Sequence, residues 1–138
     1  MADQRLLDVI NKSIAGELQA LVQYMWQHVM AVGIESPAIR NMFRSAAMEE
    51  MKHAEKLAER LDLLGGVPTT TPDPIVVGGT LVEMIKANVK SEAETVKLYK
   101  QAIDLSIEAK DPVTRLMFEE LLGDEEEHHK DFSDLLEK

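Results

Sequence analysis

The strongest constraint on the fold is a pair of residues that occurs twice. A glutamate and a histidine lie three residues apart in each half of the chain, and one further glutamate precedes each pair at the same distance. The six residues are Glu17, Glu50 and His53 in the first half, and Glu92, Glu125 and His128 in the second. Residues three apart share one face of a helix. One glutamate and one Glu-x-x-His from each half form the ligand set of a carboxylate-bridged di-metal site inside a four-helix bundle.

Apolar residues recur at alternating steps of three and four in four segments, which is typical of helices that pack in a bundle. Residues that cap helices begin these segments: Asp3, Ser36, Thr80 and Asp111. Prolines and glycines mark further boundaries. We predict an all-α, single domain over residues 1–138, with helices at about 3–32, 36–64, 80–109 and 112–137.

Residues 66–79 are rich in proline, glycine and threonine, so they are predicted to form no helix. Fourteen extended residues reach roughly 46–50 Å. The second predicted helix is roughly 43 Å long, so the segment can just travel the length of the bundle. We therefore interpret it as a long crossover between helices two and three. A domain boundary is the weaker alternative, because neither half could bury its apolar face alone.

All six residues lie on the apolar faces of their helices, where an unpaired carboxylate would be unfavourable to bury. A metal ion or another cation is therefore expected beside them. Two alternatives point away from these faces. Glu94 competes with Glu92, and Glu126 with His129 also fits the Glu-x-x-His pattern, but Glu126 is turned about 100° from the apolar face.

The pairing of helices predicts which residues hold which ion. Glu50 and Glu125 would bridge the two ions. Glu17 with His53 would bind one of them, and Glu92 with His128 the other. Four ionised carboxylates balance the charge of two divalent ions, and this set of oxygen and nitrogen donors suits iron or manganese.

Four nearby side chains have two possible roles each. Asp124 and Glu49 are candidates to accept a hydrogen bond from the outer ring nitrogens of the histidines, or they are simple surface residues. Tyr24 follows Glu17 at the distance at which Tyr99 follows Glu92. Each tyrosine either hydrogen-bonds a ligand carboxylate, donates an electron or only packs.

Composition excludes several classes of protein. The formal net charge of −10 argues against nucleic acid as a partner and favours the attraction of cations. The absence of cysteine excludes disulfides, iron–sulfur clusters and a rubredoxin-type centre. No apolar run approaches the roughly 18 residues that a membrane span needs, and the start does not read as a signal peptide. We therefore expect a cytoplasmic protein without a membrane partner.

Three segments resemble the bacterioferritin family of the ferritin-like superfamily. They are residues 16–24, residues 50–54 and residues 124–128. The resemblance extends over all four helices and implies a ferritin-like four-helix bundle. It also implies a ferroxidase centre that oxidises Fe(II) with oxygen or hydrogen peroxide, and a hollow homo-oligomeric shell, built from two-fold dimers, that stores ferric mineral. The six residues named above match the family's ligands for two iron ions per subunit, with Tyr24 beside them.

Met51 matches the methionine that binds haem in this family. Two copies, one from each of two subunits, would hold one haem at a two-fold interface, since a thioether is a suitable axial ligand. The alternative is that Met51 only fills an interface between subunits.

The chain departs from the family's pattern in two ways that affect its assembly and iron uptake. It ends at Lys138, soon after the fourth helix, without the family's short fifth helix. A shell of twelve subunits, or a dimer, is therefore considered beside the 24-subunit shell. Ser45 and Ala46 replace a histidine and a glutamate that bind iron on the inner surface in some members, so iron uptake by that path is not expected.

Two other functions compete with iron oxidation and storage. One is a small di-metal oxidoreductase, such as a rubrerythrin-like peroxidase or a manganese catalase, that stores no iron. The lack of cysteine argues against a complete rubrerythrin. The other is a helical interaction module without metal, which leaves four glutamates on core faces unexplained.

Overall fold

The computed structural model describes residues 3–136, which form a bundle of four helices without a strand in that range. The helices are α1 (Gln4–Met30), α2 (Ser36–Leu63), α3 (Leu81–Glu108) and α4 (Pro112–Leu135). Short turns make α1 with α2, and α3 with α4, antiparallel hairpins. Between the hairpins, the backbones approach most closely at α1 and α3. The backbones of α2 and α4 stay further apart and are joined by longer side chains. The predicted all-α bundle is confirmed, whereas the predicted end of the fourth helix, residue 137, lies outside the described residues.

Three of the four predicted caps are confirmed. The carboxylate of Asp3 accepts a hydrogen bond from the Arg5 amide, and that of Asp111 accepts one from the Thr114 amide. Thr80 caps α3 together with Glu83 in a reciprocal capping box. Each of these bonds satisfies a backbone amide that has no partner within its own helix.

The prediction for Ser36 was wrong. Ser36 is the first residue of α2, and Glu35 precedes it without a capping side-chain bond. The Ser36 hydroxyl instead donates to the carbonyl oxygen of Gly33, at 2.7 Å. Gly33 has a φ of 117°, a left-handed conformation that glycine adopts easily. The turn therefore starts earlier than predicted, and α1 ends at Met30 rather than near Val32.

The strap, defined as residues 66–79, contains no helix or strand and lies along α1. Its backbone is hydrogen-bonded to four residues of α1 that follow one another at intervals of four or eight positions. The bonds join Asn11 to Val67 and Thr69, Ala15 to Asp73, Gln23 to Val76 and Gln27 to Val77. Residues four apart share a helix face, so a single face of α1 fixes the course of the strap.

A buried amide network joins α1 to α3 beneath the strap. The Nε2 atoms of Gln23 and Gln27 both donate to Asn88 Oδ1 at 2.9 Å. Asn88 Nδ2 donates back to Gln27 Oε1 at 2.7 Å. All three side chains are fully buried, and buried polar groups are tolerated when they are hydrogen-bonded in this way. The network thus links the two hairpins at one end of the bundle.

Apolar residues fill both ends of the bundle and leave its middle polar. One cluster is built around Ile10, Leu57 and Phe118. The other is built around Phe43 and Phe132. On α2, the residues between Phe43 and Leu57 include Glu50 and His53, so the fold brings charged side chains to the centre of its core. No helix within residues 3–136 is long and apolar enough to cross a membrane.

Candidate metal centre

The six candidate ligands all lie in the buried middle of the bundle, and we call them the ligand cluster. None exceeds 7% exposure. α1 and α3 contribute one glutamate each, and α2 and α4 contribute one Glu-x-x-His pair each. The members are Glu17, Glu50, His53, Glu92, Glu125 and His128. Charged residues are rarely buried so completely unless they are paired or bind a metal ion.

The ligand cluster divides into two overlapping groups of four residues. One donor atom from each member of a group lies within 4.8 Å of the others. The first group is Glu17, Glu50, His53 and Glu125, and the second is Glu50, Glu92, Glu125 and His128. Donors that bind one ion at about 2.0–2.2 Å are up to about 4.2 Å apart, so a small contraction would close each group on an ion. Glu50 and Glu125 belong to both groups, where bridging carboxylates would have to lie.

The inner nitrogens of both histidines face these carboxylates. His53 Nδ1 lies 2.8 Å from Glu125 Oε1 and 3.5 Å from Glu17 Oε2. His128 Nδ1 lies 3.1 Å from Glu50 Oε1. The imidazole rings are 6.4 Å apart between centroids and nearly parallel. Each ring therefore serves a different group.

The ligand cluster holds almost all the unsatisfied polar atoms in the described part of the chain. Of the eight buried side-chain nitrogen and oxygen atoms without a hydrogen-bond partner in residues 3–136, seven belong to it. Each of its six residues contributes at least one. A buried polar atom without a partner is destabilising by about 1–3 kcal/mol, and more when it is charged. Metal ions would satisfy these atoms together, so the residues present fit a di-metal centre.

The outer ring nitrogens are held by carboxylates from the opposite helix. His53 Nε2 lies 2.9 Å from Asp124 Oδ2. His128 Nε2 is bonded to Glu49 Oε2. Of the two roles that the sequence left open for Asp124 and Glu49, the hydrogen-bonded one is observed, and each carboxylate fixes its ring with Nδ1 directed at the ligand cluster. Carboxylate support of this kind orients a histidine ligand and raises its basicity.

Two buried tyrosines hold the two glutamates that belong to one group each. The Tyr24 hydroxyl donates to Glu92 Oε1, and the Tyr99 hydroxyl donates to Glu17 Oε1. Burial raises the pKa of both phenols well above the usual value, so they remain protonated donors. Of the roles that the sequence left open for the two tyrosines, hydrogen bonding to a glutamate of the ligand cluster is the one observed. Each tyrosine bonds the glutamate of the other hairpin, so the two bonds also join the hairpins.

Charges in the ligand cluster are balanced by protons in the metal-free chain. Burial raises the pKa of Glu17, Glu50 and Glu92, and neighbouring carboxylates raise it further. Burial also opposes ionisation of Glu125, but its close neighbours, first of all Glu92 and then His128 and His53, outweigh burial and lower that pKa.

Both histidines of the ligand cluster carry raised pKa values. Burial alone would lower them, but nearby carboxylates, first of all Glu125, raise the pKa of His53 to about 11 and that of His128 to about 9. At neutral pH the two imidazoles therefore carry protons in the positions where metal ions would replace them.

The rejected alternatives lie outside the ligand cluster. Glu94 and Glu126 are exposed, and His129 belongs to neither group. Met51 lies on the surface of α2 with 42% exposure, away from the core.

The amide network of Gln23, Gln27 and Asn88 was not predicted from the sequence. A glutamine stripe at steps of four was its only signal in the sequence.

Comparison with known proteins gives a consistent result. A family model described as a ferritin-like domain matches residues 7–138. The bacterioferritin of Desulfovibrio desulfuricans is 35% identical over 125 residues, which cover 90% of this chain and 70% of that relative. Among solved structures, a ferritin-like diiron-carboxylate protein from Bacillus anthracis has a TM-score of 0.94 at 28% identity, with 96% of both chains covered.

A second solved structure adds a comparison for the haem prediction. The bacterioferritin of Rhodobacter capsulatus has a TM-score of 0.85 at 27% identity and covers 97% of this chain and 84% of its own. That protein has a metal-free dinuclear site and a haem iron on a crystallographic special position.

Proposed function

This chain belongs to the bacterioferritin family of ferritin-like proteins, and from that premise we propose that it oxidises Fe(II) at the ligand cluster and stores the ferric product in an oligomeric shell. One observation carries the proposal: Glu50 and Glu125 belong to both four-residue groups, as the two bridges of a di-iron site must. The residues 1–138 would then act as one ferritin-like domain.

The residues divide the work in a way that follows from their contacts. Glu50 and Glu125 would hold both ions, Glu17 and His53 one of them, and Glu92 and His128 the other. Two Fe(II) ions held there would supply two electrons, with oxygen or hydrogen peroxide as the oxidant. Tyr24 and Tyr99 orient the two non-bridging glutamates, and Asp124 and Glu49 orient the imidazoles. The carboxylates favour the more highly charged ferric state, because hard oxygen donors bind it best.

Aerobic loading with Fe(II) tests the proposal. The molar mass of the purified protein is measured by light scattering, and Fe(II) is then added in excess of two ions per chain. A shell of twelve or twenty-four chains, built from two-fold dimers, that retains ferric iron after gel filtration supports storage. A dimer that oxidises two ions per chain and leaves the excess to precipitate supports the small di-metal oxidoreductase instead. A cytoplasmic location stays a prediction.

Protons should leave the protein when metal binds. His53 and His128, with pKa values of about 11 and about 9, are protonated at pH 7 and must lose those protons to become ligands. We expect the release of at least about two protons per chain when Co(II) saturates the centre at pH 7. Raising the pH toward 9 should reduce the release from His128 and strengthen the apparent affinity. A pH indicator in weak buffer measures this, and binding without acidification would contradict it.

Met51 is proposed as the axial ligand of a haem shared between two subunits. Its exposed thioether on α2 can meet a second copy across a two-fold axis. Met51→Leu should abolish the Soret absorbance gained on reconstitution with haem, because leucine keeps the volume but offers no sulfur donor. Met48→Leu, one turn earlier on α2, is the matched control and should bind haem normally. Equal haem content in both variants would assign the ligand elsewhere.

A further inference from the structure

The two tyrosine–glutamate bonds occupy corresponding positions in the sequence repeat that relates the two halves of the chain. Glu17 corresponds to Glu92, and Tyr24 corresponds to Tyr99. Tyr24 donates from α1 to Glu92 on α3, and Tyr99 donates from α3 to Glu17 on α1. Both bonds therefore cross from one hairpin to the other, and each depends on how far α1 is shifted along α3.

The amide network lies about one helical turn from the Tyr24–Glu92 bond. Gln27 follows Tyr24 by three residues on α1, and Asn88 precedes Glu92 by four residues on α3. Residues three or four apart share a helix face, so the faces that carry the tyrosine–glutamate bond also carry the Gln27–Asn88 pair. Two reciprocal hydrogen bonds, of 2.9 Å and 2.7 Å, join this pair.

Further hydrogen bonds hold the amide network in place. Gln23 Nε2 also donates to Asn88 Oδ1, at 2.9 Å. Gln23 Oε1 accepts from Gln19 Nε2 at 2.7 Å and from the Val76 amide of the strap at 3.1 Å. Hydrogen bonds weaken steeply as their geometry departs from the ideal, and a buried amide left without a partner is unfavourable. A slide of α1 along α3 would break several of these bonds at once.

Beside the Tyr99–Glu17 bond, the sequence repeat places a different set of side chains. The positions that correspond to Gln23, Gln27 and Asn88 are occupied, in that order, by Leu98, Ala102 and Ser13. Leu98 and Ala102 pack in an apolar cluster. The Ser13 hydroxyl donates to the carbonyl oxygen of Val9 in its own helix, at 2.8 Å. Apolar contact is non-directional, so it fixes the shift of α1 along α3 less sharply than hydrogen bonds do.

We propose that the three residues of the amide network are positioning residues for Glu92. They fix the shift of α1 along α3 and so keep the Tyr24 hydroxyl within bonding distance of Glu92, which belongs to one of the two metal-binding groups. The two metal positions are therefore unequal. A tyrosine that the amide network fixes holds Glu92, whereas a tyrosine set in apolar packing holds Glu17. The proposal deepens the proposed function and rests on it for its effect on metal binding.

Asn88→Leu tests the positioning in the metal-free protein. Leucine is similar in size to asparagine but removes the acceptor and the donor that join it to the two glutamines. The chain has only two tyrosines, so a Tyr99→Phe background leaves Tyr24 as the only phenol, and a Tyr24→Phe background leaves Tyr99. The intensity ratio of the tyrosine Raman doublet reports how strongly a phenol donates its hydrogen bond. We expect Asn88→Leu to abolish the strong-donor ratio of Tyr24 and to leave that of Tyr99 unchanged.

Two further variants complete the Raman comparison. Ser13→Ala, at the position that corresponds to Asn88, is the matched control and should leave both tyrosine ratios at their wild-type values. Gln27→Met removes the same pair of bonds at nearly constant side-chain length and should reproduce the loss at Tyr24, which keeps the test valid if Asn88→Leu does not fold. An unchanged Tyr24 ratio in a folded variant, or an equal change in both tyrosines, would overturn the proposal.

Co(II) titration measures the effect on metal binding. In Asn88→Leu we expect one of the two ions to bind about tenfold more weakly, because loss of support for a metal ligand typically lowers affinity about 10- to 100-fold. The other ion should bind within about twofold of the wild type. Equal weakening of both ions would contradict a role specific to Glu92. A wild-type protein that binds no Co(II) would refute the metal centre itself, and the Raman comparison would still decide whether the amide network positions Tyr24.

Discussion

Glu50→Ala is expected to prevent stable binding of both metal ions and to lower the initial rate of Fe(II) oxidation by at least about 100-fold. The expected effect is large because Glu50 belongs to both four-residue groups. Residues that only support metal ligands typically change affinity or activity about 10- to 100-fold, so a shared ligand should matter more. Co(II) titration gives the number of ions bound per chain, and the early increase in ferric absorbance gives the rate.

Folding is not expected to limit the Glu50→Ala experiment. The substitution removes a buried carboxylate whose pKa is raised by burial and by Glu17, so the metal-free protein should stay helical. Glu55→Ala, on the exposed side of the same helix, is the control and should keep full metal binding. A Glu50→Ala protein that binds two ions and oxidises Fe(II) at the normal rate would remove Glu50 from the bridging position.

Metal binding should stabilise the fold by one of the largest margins available to this chain. Two ions, each present at about 100 times its dissociation constant, together contribute about 5 kcal/mol. In a domain of this size that corresponds to an increase in Tm of about 15 °C. The physical reason is that the ions satisfy seven buried atoms that otherwise lack hydrogen-bond partners. Thermal denaturation followed by circular dichroism, with and without saturating Co(II), measures the shift.

The same melting experiment on Glu50→Ala separates specific binding from a general effect of divalent cations on an acidic surface. The variant keeps the exposed carboxylates but loses the shared ligand, so its Tm should rise by no more than about 3 °C, the size of surface charge screening. An equal increase in the wild type and in the variant would locate the stabilising ions on the surface.

The ligand cluster could be predicted because its signal is local and repeated. Spacing alone placed Glu50 with His53 and Glu125 with His128 on apolar faces, and the repeat selected Glu92 over Glu94. The carboxylates beside the histidines, Asp124 and Glu49, could also be named, since each directly precedes a glutamate of the cluster in the sequence. These inferences depend only on helical periodicity, which survives folding unchanged.

Features that depend on contacts between distant segments could not be predicted. Tyr24 bonds Glu92 and Tyr99 bonds Glu17, a crossed pairing that requires the relative shift of α1 and α3. The amide network around Asn88 depends on the same alignment of α1 and α3, which the spacing of residues within one helix does not give. Ser36 satisfies the general rule for an N-cap, but the turn at Gly33 draws its hydroxyl away.

The division of donors between two hairpins has a consequence for how the protein assembles. Each hairpin is stabilised by contacts between neighbours in sequence and can form early, whereas docking of the hairpins must wait for the strap to close a long loop. Neither hairpin alone contains a complete group of four donors, because each group draws on both. Uptake of the first ion therefore reports the last step of folding, and the arrival of iron can be timed against helix formation to measure how fast the two hairpins dock.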